Sequence, residues 1–396
     1  MINKYIAALL LVPFLAHGQS EKIPAPASDN RAKIQEQIDG VIRPAMQEFN
    51  IPGIAVAVTI NGEHYFYNYG VASKATQTAV TSETIFELGS ISKTFTATMA
   101  SYAQVTGKLS FSDNISKYIT SLQGSAFDKI TVLNAATHTT GGLPLQFPDE
   151  VTDNRQAIKF FKTWKPKFEP GTHRSYSNPG TGLLGMAAAG SLGQPFEKIM
   201  EKTIFPALGM SHTYINVPKG QMKNYAFGYS KTDEAIRVNP GPLASEAYGV
   251  KSTATDMIRY IDANLQIIKI DEKIQNAITN THTGYFKIGE MTQDLIWEQY
   301  PYPVELGPLL AGNSATIIYE HNAAEKLTPP LKPEANVLIN KTGSTNGFGG
   351  YVAYVPARKI GIVILANKNY PITARVTIAH QILNQLDRLA PLKKSN

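Results

Sequence analysis

The sequence predicts an α/β plus all-α molecule: an antiparallel β-sheet flanked by helices and built from both ends of the chain, with a helical domain inserted between them. Three observations predict it. Near the start, a helix-like stretch leads into two strand-like runs joined by a tight turn. At the end, two strand-like runs lead into a helix-like stretch. From about residue 107 to 250 the texture changes, and short helical segments alternate with Gly- and Pro-rich loops. The expected division is therefore residues 1–18 as a leader, 19–106 together with 251–396 as the sheet domain, and 107–250 as the helical insert.

Residues 31–50 place Ile34, Ile38, Ile42 and Met46 on one helical stripe, and Ile51-Pro52-Gly53 breaks it. Residues 54–60 and 64–69 read as strands joined by Asn61-Gly62, a strong hairpin signal. A helix follows Ser90, with Phe95, Met99, Tyr102 and Ala103 at helical spacing and Gly107 as its stop. Long loops at 137–150 and 169–182 are where functional residues tend to lie. Residues 252–267 and 271–279 read as helices, whereas 281–335 is poorly patterned and reads as loops. Residues 351–354 and 360–366 are strands joined by a Pro-Ala-Arg-Lys turn, and 375–389 is helical.

The first eighteen residues carry Lys4, an apolar run from Tyr5 to Ala16 and a small-x-small site at Ala16-His17-Gly18, the marks of a cleaved secretory signal. The mature chain is expected to begin near Gln19, with no membrane span. The chain has 396 residues, 43% hydrophobic and 17% charged, which is globular composition with a sizeable core. No cysteine is present, which excludes thiol chemistry and Cys-ligated metal. The formal charge is +6, with lysines scattered and no Arg-rich or aromatic-interleaved block, so nucleic-acid binding is not expected. A mild positive field of this kind favours anionic small substrates, and serves equally well as a solubility charge.

Ser90-Ile91-Ser92-Lys93 is the only Ser-x-x-Lys in the chain. Residues three apart share a helix face, so the hydroxyl and the amine point the same way. A serine needs a base within hydrogen-bond reach, and a lysine serves if burial and neighbouring cations hold it neutral. The pattern alone arises about once or twice by chance in a chain this long, so its weight depends on its companions. One is Lys341-Thr342-Gly343-Ser344 before a strand, where Gly343 permits close backbone approach. Another is Tyr176-Ser177-Asn178 in a Gly/Pro-rich loop. A cation about 4 Å from a phenolate contributes roughly 4 kcal/mol at an effective dielectric of about 20, so two lysines can turn Tyr176 into a base. Tyr214-Ile215-Asn216 has the same spacing but reads as a strand. Ser112-Asp113-Asn114 matches another known motif, but lies just beyond the Ser90 helix and reads as a helix cap.

Together, Ser90-x-x-Lys93, Tyr176-x-Asn178 and Lys341-Thr342-Gly343 resemble the three motifs of the class C serine β-lactamases, the cephalosporinases. The segments at 143–150, 171–180, 246–253, 340–356 and 365–371 resemble that family as well, in its order and spacing. The resemblance implies a β-lactamase/DD-peptidase-like fold with the site between the two parts. It implies a Ser90 acyl-enzyme, Lys93 and Tyr176 sharing general-base duty, and Lys341 binding the substrate carboxylate and biasing Tyr176. The backbone N–H groups of Ser90 and Ser344 would form the oxyanion hole. Gln146 and Asn178 would contact the acylamino side chain, Tyr248 would line that pocket, and Thr342, Gly343, Asn369 and Arg375 would complete the binding surface. One position departs: where the family often has an asparagine after the proline of residues 365–371, this chain has Ile372, so carboxylate recognition is expected to be weaker or shifted.

The expected activity is β-lactam hydrolysis in the periplasm of a Gram-negative bacterium, by a monomer acting on a small-molecule β-lactam with no cofactor and no metal. A D-Ala-D-Ala carboxypeptidase or an esterase on the same fold is the alternative, because these acyl transfers differ mainly in how fast water resolves the acyl-enzyme. A non-enzymatic peptidoglycan-binding protein would be expected to have lost the serine or the lysine. A metallo-hydrolase would need a local ligand pair. Of the seven histidines beyond the leader the closest two are 35 positions apart, His138 and His173.

Overall fold

The computed structural model describes residues 27–389; the leader-like residues 1–18 lie outside them. The main sheet comprises β1 (Gly53–Ile60), β2 (Glu63–Ser73), β3 (Thr78–Ala79), β4 (Gly284–Ile288), β5 (Met291–Gln293), β6 (Glu298–Pro301), β7 (Glu325–Leu331), β8 (Val337–Ser344), β9 (Gly349–Val355) and β10 (Ile360–Ala366). Their spatial order is β7-β4-β5-β6-β8-β9-β10-β1-β2-β3, antiparallel throughout.

The β1–β2 turn is the predicted Asn61-Gly62, both residues at positive φ (53° and 89°), as a two-residue hairpin turn of matching twist requires. β10 sits between β9 and β1, so the last strand joins the first along a register running from Ile54↔Ala366 to Ile60↔Ile360. Its sequence, IGIVILA, is buried at every position because the sheet is covered on both faces. Ile360, Ile362 and Ile364 pack with Ile34, Ile38 and Ile42 of the first helix (Ala27–Glu48) and with Ile382 and Leu386 of the last (Ile372–Leu389). Val363 and Leu365 face the other way, onto Phe95 of the Ser92–Val105 helix and Ile258 of the Ala254–Asn264 helix.

The stretch 281–335, read as loops, holds four strands of the main sheet and two helices, Leu306–Gly312 and Ala315–Tyr319. The periodic signal fails there for a physical reason. Gln293, Glu298 and Gln299 are buried within the sheet, so polar residues stand where an apolar alternation is sought. β7 carries Pro329 and Pro330, which a strand tolerates only at a sheet edge, and β7 is the edge.

Residues 80–283 contribute no strand to the main sheet. Their longest helix, Asn178–Leu192, packs against Ser92–Val105. One apolar cluster runs from Ala55 and Leu365 on the sheet through Phe95 to Leu183 and Phe196, so this stretch shares its core with the sheet face. No helix among the described residues is long and apolar enough to cross a membrane.

Candidate active site

Ser90 lies in a 3-10 turn, Gly89–Ile91, that runs directly into the Ser92–Val105 helix. Phe95, Met99 and Ala103 of that helix are fully buried, and Gly107 (φ 71°) ends it as predicted. The turn is pressed against β8 by two glycines. Gly89 has φ 52°, and a Cβ on it would stand 2.5 Å from the Ser344 backbone nitrogen. A Cβ on Gly343 would stand 2.0 Å from the Leu88 carbonyl oxygen. Any larger residue at either position forces the nucleophile turn and the strand apart.

Lys93 is wholly buried beneath Ser90. Its Nζ lies 2.9 Å from Ser90 Oγ and 2.8 Å from the carbonyl oxygen of Ala247, donating to both. Burial is the main force on the amine and, with the nearby Lys341 charge, brings its pKa down to about 8 against the opposing pull of Tyr176. Tyr176 follows the short strand His173–Ser175, and the Asn178–Leu192 helix begins two residues on, with Ser177 Oγ accepting the Gly180 N–H as its cap. The ammonium groups of Lys341 and Lys93 stand 5.0 Å and 5.3 Å from the Tyr176 ring centroid. Burial opposes the phenolate, but Lys341, then Lys93, then the nearness of Ser90 outweigh it, and Tyr176 comes down to about 8. Its oxygen is buried and makes no well-formed hydrogen bond among the described residues. An amine and a phenol that give up protons near the same pH, both beside one hydroxyl, form a single coupled acid–base unit.

Three residues that the sequence reading did not single out complete this unit. Arg174 is buried, and donates to Gln293 Oε1 (2.6 Å), to the Ile317 carbonyl (2.8 Å) and to Glu298 Oε1 (2.9 Å). The same Glu298 oxygen is 3.7 Å from Lys341 Nζ, so one carboxylate holds both cations beside the phenol. His138 has the left-handed φ of 59°, uncommon outside glycine, and its ring lies 4.4 Å from that of Tyr176. Its Nδ1 accepts the Ser177 N–H at 3.3 Å. Burial, followed by the charges of Arg174, Lys93 and Lys341, pushes its pKa well down and keeps it neutral. Arg174 lies two residues before Tyr176, within the segment 171–180 that resembles the family. Glu298 was hidden in the stretch read as loops.

A cleft of about 530 Å³ opens over Ser90. Tyr176, Lys341, Thr342, Gly343 and Ser344 line it from the motif side, and Gln146, Asn178, Tyr248 and Asn369 also reach it, as does Ile372. The Asn178 Oδ1 is buried with no partner among the described residues, a free amide facing the cleft. Tyr248 Oη accepts the Gly241 N–H at 3.2 Å.

Arg375, expected on the binding surface, does not line the cleft. It is fully buried behind it and donates to the Gly343 carbonyl (2.7 Å), Ser344 Oγ (2.9 Å), Asn369 Oδ1 (2.5 Å) and the Tyr370 carbonyl. It braces the end of β8 rather than presenting a charge. Ser112-Asp113-Asn114 lies away from the cleft; Asp113 accepts from Lys117 Nζ and Tyr118 Oη, and Asn114 stands at the head of the Ile115–Tyr118 helix without a side-chain cap bond. Among the described residues no three His, Cys, Asp or Glu side chains are grouped to hold a metal ion. The arrangement thus offers a hydroxyl nucleophile, a paired base, buried positive charge and free amide contacts, which is the equipment of acyl transfer.

Comparison with known proteins agrees with this chemistry. The family model described as Beta-lactamase matches residues 38–387. A β-lactamase of Lysobacter lactamgenus is 47% identical over 387 residues, covering 98% of this chain and 100% of its own. A class C β-lactamase solved in complex with cefoxitin superposes with a TM-score of 0.88 at 55% identity, over 90% of this chain and 99% of that one. A Pseudomonas syringae protein described as a β-lactamase/D-alanine carboxypeptidase superposes with a TM-score of 0.87 at 50% identity, over 89% and 99%.

Proposed function

The chain belongs to the beta-lactamase family, with class C enzymes as its structural relatives, and from that premise we propose that Ser90 is the nucleophile of its β-lactam hydrolysis. The observation that carries the assignment is the contact of Lys93 Nζ with Ser90 Oγ beside a phenol flanked by two ammonium groups.

In this reading Ser90 Oγ attacks the lactam carbonyl carbon, and its proton passes to the Lys93/Tyr176 pair. The oxyanion takes hydrogen bonds from the backbone N–H groups of Ser90 and Ser344, a contribution of about 3–4 kcal/mol per donor elsewhere. The C–N bond then breaks, the leaving nitrogen takes the proton back, and an ester on Ser90 remains. Water attacks that ester with the same pair as base and restores the serine. Lys341 and Thr342 receive the substrate carboxylate, Asn178 and Gln146 the acylamino group, and Tyr248 lines the side-chain pocket. Glu298 and Arg174 keep the Lys341 ammonium where it biases the phenol. We further propose that the enzyme acts in the periplasm, on the signal-like residues 1–18.

A peptidase reading keeps a foothold because the Pseudomonas syringae relative is described by both activities. One experiment separates the two. The mature protein and Ser90→Ala are mixed with nitrocefin, with another cephalosporin and with a D-Ala-D-Ala peptide, and each is followed by turnover and intact-protein mass. The expected result is fast nitrocefin turnover and a transient cephalosporin adduct on the wild type, with neither on the folded Ser90→Ala protein. Undiminished turnover by Ser90→Ala removes the nucleophile assignment. Rapid clearance of the peptide with a persistent β-lactam adduct makes the protein a peptidase.

A further inference from the structure

One wall of the cleft takes no part in the acylation scheme above. Ile236, Arg237, Val238 and Asn239 line it. Besides Arg174, whose donors are taken by buried partners, Arg237 is the only arginine on the cleft surface among the described residues. It is held in one pose. Its guanidinium carbon sits 4.1 Å from the ring centroids of both Tyr225 and Phe227. Nε donates to the Ala226 carbonyl at 3.1 Å and Nη2 to the Tyr225 carbonyl. Phe227 is one of only three large apolar side chains exposed among the described residues, and its place against the guanidinium accounts for that exposure.

The frame behind Arg237 is equally fixed. The buried Glu87 carboxylate accepts from Tyr225 Oη (2.6 Å) and the Val238 N–H (2.7 Å) with one oxygen, and from Thr345 Oγ1 (2.6 Å) with the other. Those bonds tie the 236–239 wall to Thr345, the residue directly after the strand that carries Lys341. They also occupy Glu87, which forms no ion pair with Arg237 within 4 Å; no other carboxylate does so among the described residues. Arg237 Nη1 has no hydrogen-bond partner there either. Two residues beyond this wall, the Gly241 N–H donates to Tyr248, the residue assigned above to the acylamino pocket. A guanidinium has five N–H donors, and here two are spent on carbonyls, while Arg237 lines the cleft with the Glu87 charge nearby but no carboxylate in direct contact with it among the described residues. Because its pose is already set by two rings and two carbonyls, little ordering is lost when it engages an anion.

We infer that Arg237 is a specificity residue that receives a carboxylate carried on the acylamino side chain of the β-lactam, through its free Nη1. The inference rests on the β-lactamase reading and names the substrate class that reading leaves open. The role differs from that of Lys341, which takes the carboxylate of the lactam nucleus.

The test uses two cephalosporins with one nucleus, one bearing a side-chain carboxylate and the other its primary carboxamide. The measured quantity is the ratio of their kcat/KM values for the wild type, Arg237→Gln and Arg237→Lys. Arg237→Gln is expected to lower the carboxylate-to-carboxamide ratio about tenfold, chiefly through KM, as for the loss of one charge-assisted hydrogen bond. Arg237→Lys should retain part of the preference. In the wild type the ratio should fall as salt is raised, a readout that does not depend on any variant folding. A ratio unmoved in Arg237→Gln, or independent of salt in the wild type, overturns the inference, because capping two carbonyls would affect both substrates alike. A wild type that hydrolyses neither compound overturns the β-lactamase reading itself.

Discussion

Lys341 influences both members of the base pair in the same direction. Its charge stabilises the Tyr176 phenolate and repels a proton from Lys93, so it lowers both pKa values. Removing it, as in Lys341→Met, raises both. Whichever group takes the serine proton, the acid limb of the kcat/KM profile should move to higher pH, by about one pH unit. The measurement is the pH dependence of nitrocefin kcat/KM, and an unmoved limb contradicts the electrostatic role. At Ile372 the cleft has an aliphatic side chain near Asn369. Ile372→Asn should change KM for cephalosporins more than kcat, because it adds a contact to the bound substrate without touching the acid–base pair. An unaffected KM shows that the position is neutral. At this scale the sequence was readable where chemistry is local. Ser90 and Lys93 are three residues apart, and their contact follows from helix geometry alone. The Arg375 role was not readable, because nothing local distinguishes a guanidinium that meets substrate from one that braces the strand behind it. Glu298 escaped for a related reason: its partners, Arg174 and Lys341, are contributed by strands remote in the chain.

The nucleophile turn and β8 meet through backbone, and that contact makes Gly343 and Gly89 structural requirements of the site. Gly343→Ala places a methyl carbon against the Leu88 carbonyl, so the strand must retreat from Ser90. Turnover should fall by about a hundredfold or more, in line with misplacement of about 1 Å at a reacting centre. Gly107→Ala is the control. Its φ is 71°, but a Cβ there meets nothing within 4 Å, so it should cost only about 1 kcal/mol of stability with turnover unchanged. Urea unfolding and nitrocefin assays on both variants check the pair, and equal turnover by the two contradicts the close-approach argument. Elements with strong local signals were legible in the same way. The Asn61-Gly62 hairpin and the buried β10 run are found where composition and turn chemistry put them. The strands between 284 and 331 were not, since Gln293 and Glu298 turn polar side chains inward to hold Arg174, and Gln299 beside them is buried as well. A functional polar core erases the alternation by which a strand is found.

Over the whole molecule, the sheet built from both chain ends follows from the hairpins that begin and end the sequence. The order of its ten strands does not, because pairing β6 with β8 and β10 with β1 is decided by packing across long stretches of chain. The proposed periplasmic location is also a property of the entire chain. Cell fractionation followed by N-terminal sequencing should recover the protein in the periplasmic fraction with a first residue near Gln19. A cytoplasmic protein that retains Lys4 contradicts it.

The seating of β10 between β9 and β1 has a consequence for biosynthesis. The hairpin translated first keeps an open edge until one of the last segments to leave the ribosome closes it. Messages truncated anywhere ahead of residue 360 therefore yield no working catalyst, and the polypeptide stays unlocked until its closing strand has been made.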